Sequence, residues 1–421
     1  MSARPHLLRA VALLGLCTWA SAVLAQSAGP SLTLAQLEAQ ALESHPAIQA
    51  AAASARAAAS AGTQAGRWDN PVVESTVEGL GRQRQATVSG LQVGQQFPVS
   101  GQYARRASAV RAEADVATRR VDRVRRQISL DVRTAYVHVL AAEQRRTVRA
   151  RLAELARQAV TVTEQLFNTG AADRPDVLAA EIEATSAALS LVEADNRLSR
   201  DWLRLGVSAG QPTLPRQPIS SDGLSLALPE GRDAALQQAL AEAPDLQVAR
   251  AAVIAAERQR EAERRVQAPM LSLSAGFIQE PDRLGPSELW TWSARTGLTV
   301  PLWNRNTAGV AAAASRVAAQ RAQVAALELR LTDRFAMHYE RYATAQRQVQ
   351  ALERDLLPKS EQAYRLYLDR YRAMAASYPQ VLFSQRALFQ TSEMYVDAVE
   401  TLRLAALRLM LLIDEDEAEA P

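Results

Sequence analysis

Beyond its N-terminal segment this chain has no cysteine. Cys17 is the only one in 421 residues and lies inside an apolar stretch near the start, which excludes a disulfide framework and thiolate metal sites. Histidine is nearly as scarce. His45, His138 and His338 remain after the N-terminal segment, none at a metal-ligand spacing, so each reads as an ordinary helix-face side chain. No metal site, cofactor site or catalytic residue is expected: there is no phosphate loop or nucleophile elbow. After residue 25 no stretch approaches the roughly 18 uninterrupted apolar residues of a membrane helix. Glycine and proline are missing from the 64 residues Ala104 to Phe167 and from the 30 residues Asp176 to Leu205. Typical helices run about 10 to 14 residues, so these runs read as very long ones.

What is there begins with a secretory signal. Arg4 and Arg9 precede an apolar region from about Leu7 to Leu24, and Val23 and Ala25 are small residues at the usual places before a cut, so residues 1–25 read as a signal peptide. Cys17 follows Leu16 inside the apolar region, so lipidation is not expected. Without Arg4 and Arg9, 48 basic side chains become 46 against 45 acidic ones, a formal charge of +1. The signs are interspersed along helices, which describes a solvated face rather than a nucleic-acid surface. An exported chain of this kind enters a membrane, if at all, as β-strands.

The chain is one unit written twice. Pro46 aligns with Pro244 and Pro71 with Pro269, both at a step of 198; Gly94 with Gly297, Pro98 with Pro301 and Tyr136 with Tyr339 follow at 203; Pro175 and Pro379 are 204 apart. The divisions are a first repeat 26–205, a Pro-, Gly- and Ser-rich linker or equatorial segment 206–231, a second repeat 232–412 and an acidic tail 413–421. Each repeat reads as helix, two strands, long helix, turn, helix.

The long helices carry a coiled-coil period. Ile128, Val132, Ala135, Val139 and Ala142 step by 4 and 3, as do Val177, Ala180, Ala184, Ala187, Leu191, Ala194 and Leu198, while Val381, Leu388, Tyr395, Leu402 and Leu409 are spaced by seven, the pattern of paired, supercoiled helices. The return helix is half as long as its partner, and the helix near Pro46 to Trp68, stacked on its end, would supply the rest. Pro358 predicts a kink in the second half only.

Between the helices lie four segments of about 9 to 12 residues, the length of a tilted membrane strand. PVVESTVEG sets Val73 and Val77 against Glu74 and Glu78, and LWTWSARTGLTV sets Trp290, Trp292 and Leu298 against Arg295. ATVSGLQVGQQF and MLSLSAGF alternate likewise. Such strands suit a lipid-facing wall or a half-buried soluble sheet. Trp290 and Trp292 fit an interfacial girdle or a core.

HPAIQAA and APDLQVA, DNPVVESTVEG and APMLSLSAGF, QQFPVSGQYARR and LTVPLWNRNTAG, and the turns NTGAADRPDVLAAE and AMAASYPQVLFSQ, in that duplicated order, make the chain resemble the TolC-type outer-membrane efflux factors, and most the heavy-metal and divalent-cation branch. The resemblance covers nearly the whole mature chain. It implies an α+β membrane protein in which three chains build a twelve-strand β-barrel, four strands each, continued by a long antiparallel coiled-coil α-helical barrel in the periplasm. Four strands cannot close alone, since known membrane barrels begin at about eight.

The implied function is a passive conduit in the outer membrane of a Gram-negative bacterium, joined to a periplasmic adaptor and an inner-membrane pump of the proton-driven resistance-nodulation-division type, with metal cations as cargo. Drug efflux and type I secretion share the architecture; a periplasmic adaptor-like coiled coil is the rival outside it. Pro98 and Pro301 mark strand-to-helix corners, and Glu74, Glu78 and Arg295 are expected to face the lumen. The far tips are Asn168, Thr169, Gly170, Ala171, Ala172 and Asp173 in one turn, and Arg372, Ala373, Met374, Ala375, Ala376 and Ser377 in the other, where an adaptor would dock. Asp173, Asp176 and Asp369 are the candidate gate carboxylates. Met374 stands where the first repeat has Gly170, which leaves the geometry of the second turn open.

Overall fold

The computed structural model describes residues 32–78, 88–220, 231–281 and 288–413. The signal peptide, most of the Ser-rich part of the linker and nearly all of the acidic tail fall outside them.

Thr33 starts α1 (Leu34–Ser44) through a capping box with Gln36. His45 opens α2 (Pro46–Gln64), its Nδ1 accepting from the Ala47 amide at 3.2 Å, with Pro46 in the first turn where no N–H is needed. Strands β1 (Val72–Glu78) and β2 (Val88–Pro98) follow. Then comes α3 (Gln102–Asn168), 67 residues and about 100 Å long at 1.5 Å per residue. The return helix α4 (Arg174–Ser208) is half that. The second half repeats the order with α5 (Arg232–Glu242), α6 (Pro244–Glu263), β3 (Met270–Pro281), β4 (Glu288–Thr299), α7 (Thr307–Ala351), α8 (Leu357–Arg372) and α9 (Tyr378–Met410).

α3 packs on α4 along one part of its length and on α2 along another. The two short partners meet end to end. A Cβ added to Gly210, just past α4, would lie 3.3 Å from the His45 ring and 3.7 Å from Pro46, the first residue of α2. Gly210 has φ +73, the left-handed conformation that lets the chain turn away there. In the second half, Leu409 of α9 and Leu246 of α6 share one core cluster, so the same junction is made by packing. Alanines dominate the α3–α4 seam, with Ala153, Ala156 and Ala187 buried together, which lets the backbones approach closely.

The repeated tyrosines have diverged in use. The Tyr136 hydroxyl lies 3.0 Å from the Leu32 carbonyl and 2.6 Å from that of Ser220, beneath a parallel bridge between Leu32 and Ile219. It thereby ties the linker to the start of the first repeat. Its counterpart Tyr339 stacks on Phe335 at 5.9 Å and lies under the Arg232 guanidinium. The break expected at Pro358 takes the form of a π-helical turn, Leu352–Leu356, between α7 and α8. Proline removes one helical hydrogen bond, and the wider turn is one way to accommodate that loss. α3 has no such turn.

A polar ladder fixes the register of α3 against α9. Arg145, almost buried, bonds both Asp397 and Glu400. One helical repeat away His138 Nδ1 meets Glu400 Oε1 at 2.7 Å, and on the other side Arg149 Nε donates to Glu393 at 2.8 Å. Burial alone would raise the Glu400 carboxyl, but hydrogen bonds from His138 and Arg145, with the charge of each, hold it below the usual carboxylate range. A depressed folded-state pKa contributes stability above the unfolded value and loses it as pH falls through the folded value. The thermal midpoint should therefore fall on acidification below the ordinary carboxylate range, and Glu400→Gln should flatten that acid limb while lowering the midpoint at neutral pH. Arg145→Met strands a buried carboxylate and should cost about 3 kcal/mol; an unchanged melt would dismiss the ladder as decoration.

Candidate functional site: the strand face and the helical tips

The four strands form one antiparallel sheet in the order β1-β2-β3-β4, and its register sorts the side chains by chemistry. On one face Val73 stands beside Val93, Ala275 and Ala294, the next row is Ser75, Leu91, Phe277 and Trp292, and the row nearest the helices holds Phe97, Leu271 and Leu298. This apolar face is uncovered, with Val73 63% and Trp292 73% exposed. The opposite face carries the row Glu74, Gln92, Gly276, Ser293 and beside it Val72, Gly94, Ser274, Arg295. Glu74 and Arg295 thus share the polar face, on the two edge strands, and both are exposed. Glu78 ends β1 opposite Val88.

Glycine keeps that polar wall thin. Gly90, Gly94, Gly276 and Gly297 all lie on it. A Cβ on Gly276 would fall 2.1 Å from the Leu91 carbonyl oxygen and 2.8 Å from Gln92 Cγ. Any side chain there would push strands apart, and without one Gln92 lies flat, only 7% exposed. Pro98 closes β2, and Pro301 follows β4 after Val300. Among the described residues no helix is long and apolar enough to cross a membrane.

At the other end of the helices the two turns are near copies. Gly170 has φ +77, the Gly170 amide bonds Phe167 and the Ala171 amide reaches back to Leu166 at 2.8 Å. Met374 has φ +57, its amide bonds Tyr371 and the Ala375 amide reaches Arg370 at 2.8 Å. Both are the left-handed helix stop that glycine accepts freely and other residues adopt at a cost of about 1 kcal/mol. Met374 therefore takes the glycine geometry despite its side chain, which is 69% exposed. Asp173 and Ser377 precede α4 and α9, and Pro175 and Pro379 occupy their first turns.

The candidate gate carboxylates have separate environments. Asp369 pairs within its own helix to Arg372 at 3.8 Å, and Asp173 is exposed at the start of α4. Asp176 acts on Tyr371, whose hydroxyl is pushed up first by burial and further by that negative charge. A feature missed by sequence reading is the spacing of seven in Tyr364, Tyr371 and Tyr378. These three are buried with Ala159, Ala180 and Val381, where all four tip helices meet, and Tyr371 lies 3.4 Å from Thr163 of α3. Burial, with Glu183 nearby, pushes Tyr378 up to about 12. Arg386 donates to Glu183 at 2.7 Å, joining α9 to α4. The seven-residue step was the available signal, hidden because the tip turn interrupts it between Tyr371 and Tyr378.

The family model for outer membrane efflux proteins matches residues 37–211 and again 235–414, one match to each repeat. The nickel-cobalt-cadmium resistance protein NccC of Alcaligenes xylosoxydans xylosoxydans is 27% identical over 336 residues, covering 76% of this chain and 71% of the relative. The cobalt-zinc-cadmium resistance protein CzcC of Cupriavidus metallidurans is 25% identical over 331 residues, 78% of this chain and 77% of its own. Among solved structures, the transmembrane channel CusC superposes with a TM-score of 0.75 over 90% of this chain and 91% of that one, at 18% identity; it shares the fold. With an uncovered apolar strand face, a polar face behind it and helices that reach about 100 Å away, the chain belongs to the outer membrane efflux protein family, channels rather than enzymes, set in the outer membrane and extending into the periplasm.

Proposed function

We propose that three copies close into one tube that conducts metal cations from the periplasm to the exterior. The observation that carries this reading is the two-faced sheet with open edges at β1 and β4. Because four antiparallel strands separate the edges, β4 of one copy can pair antiparallel with β1 of the next, and closure satisfies the edge amides that lipid would leave bare. The helices support the same closure. Besides the face of α4 that covers α3, a second apolar stripe, Leu178, Ile182, Leu189, Val192, Leu203 and Val207, is exposed in the single chain. Its steps of 4, 7, 3, 11 and 4 are heptad spacings, as a second seam requires. Leu329 of α7, Leu356 of the π turn and Leu366 of α8 are exposed too, available to a neighbour's α4.

In a closed tube Glu74 rings the lumen and favours cations, which agrees with cargo of the kind the names of NccC and CzcC state. The tip turns, Asn168 to Asp173 and Arg372 to Ser377, are the docking points for an adaptor linked to a proton-driven inner-membrane pump. Asp173, Asp176 and Asp369 line the mouth there, and Arg295 shares the lumen wall with Glu74.

Purified protein in uncharged detergent should have the mass of a trimer by light scattering; a stable monomer sinks the architecture. Glu74→Gln should lower the cation preference in reversal-potential measurements by roughly two-fold, and an unchanged ratio would place Glu74 outside the conducting path. At the tips, Ala171→Trp with Ala375→Trp should abolish adaptor crosslinking and cobalt or zinc resistance while trimers remain in the outer membrane. Met374→Gly should instead raise the thermal midpoint, by the equivalent of about 1 kcal/mol. If the tryptophan variants support full resistance, the turns are turns and nothing more.

A further inference from the structure

The four corners where strands meet helices share a composition that neither the barrel nor the tips require. Arg67 precedes Trp68 ahead of β1, Arg105 and Arg106 follow Val99 after β2, Arg265 precedes Val266 ahead of β3, and Arg305 follows Trp303 after β4. The apolar members are exposed, Trp303 to 93%. The five arginines are exposed as well, and none forms an ion pair with a described carboxylate. Nearby acids are already engaged: Asp69 accepts from the Tyr103 hydroxyl, Glu261 from Arg264 at 3.0 Å, and Glu263 from the Asn306 amide at 2.9 Å.

The depth of these corners follows from the sheet. Trp68 packs edge-on against Phe97 at 5.5 Å, and Phe97 lies on the apolar face in the row next to the helices. Eight residues along, the row of Ser89, Gln279 and Trp290 closes the face at its other end. At about 3.4 Å per residue and a tilt of about 40°, that is about 21 Å along the membrane normal, close to the roughly 25 Å apolar band of outer-membrane barrels. The corners therefore stand at headgroup level in the leaflet facing the periplasm, where the aromatic members anchor. Arginine forks match phosphate oxygens in pairs, and basic side chains at this depth attract anionic lipid.

We propose that the corner arginines form a collar that binds anionic glycerophospholipid headgroups of the periplasmic leaflet. The collar needs only the depth of the corners and does not depend on how many copies close the barrel. Native mass spectrometry of the intact purified channel, offered equal phosphatidylglycerol and phosphatidylcholine in uncharged detergent, should show phosphatidylglycerol retained about five-fold over phosphatidylcholine. Replacing Arg67, Arg105, Arg106, Arg265 and Arg305 together by Gln should bring the ratio to parity with assembly mass unchanged. Equal retention of the two lipids by the wild-type protein overturns the collar, as does loss of the preference on adding millimolar inorganic phosphate, which would mark a general anion surface. Should the variant with all of these arginines replaced not assemble, the wild-type lipid ratio and its phosphate control decide the matter alone. Membrane fractionation of wild type, which reports location only, separates a failure here from a failure of the channel reading.

Discussion

Backbone amides and carbonyls at a sheet edge have to find partners, and in lipid water cannot supply them. That constraint organises the molecule. A four-stranded sheet with one uncovered apolar face is stable in a membrane only when its edges find partners, so in the proposed tube the seam between copies would be as much a part of the fold as the seam between β2 and β3. The helices answer to the same requirement at a distance, since a column built from α3, α4 and α2 buries one apolar stripe of α4 and leaves a second at the outer flank. Sheet and helices thus each leave a surface that the single chain does not cover.

Much of this was legible in the residues. Alternation in PVVESTVEG and LWTWSARTGLTV put Val73 and Trp292 on one face and Glu74 and Arg295 on the other, because a period of two is rigidly tied to the pleat. The absence of glycine and proline fixed α3 to within two residues at one end and one at the other. The end-to-end meeting of α4 and α2 was readable from lengths alone. Less legible were features that depend on three dimensions. Nothing in Gln92 announces that it lies over Gly276, which takes the pairing of β2 with β3 to reveal. The Arg145 ladder joins residues about 250 apart, and charged residues on helices usually face water, so their burial is a property of the packed pair and not of either stretch.

The second turn shows how duplication relaxes a local rule. Gly170 satisfies the left-handed helix stop at no steric cost, whereas Met374 occupies the same geometry with a long side chain. The surrounding hydrogen bonds, Ala375 to Arg370 and Met374 to Tyr371, are enough to hold it. Sequence preference reports the cheapest solution, and a turn tied down by two long packed helices can carry a dearer one. Tyr136 and Tyr339 tell the same story, one fastening the linker and the other stacked under Arg232.

The π turn at Leu352–Leu356 has a mechanical meaning. In the first half the strut from the strands to the tip is one unbroken rod, α3. In the second half the corresponding strut is jointed, with a wider helical turn followed by a proline. A rod with a local defect in its hydrogen-bond ladder concentrates curvature at the defect, so a sideways force on the two tips bends one hairpin at a fixed point and deflects the other only as a whole. Two halves descended from one sequence thereby differ in stiffness, and the compliance of the chain's far end belongs to the second of them.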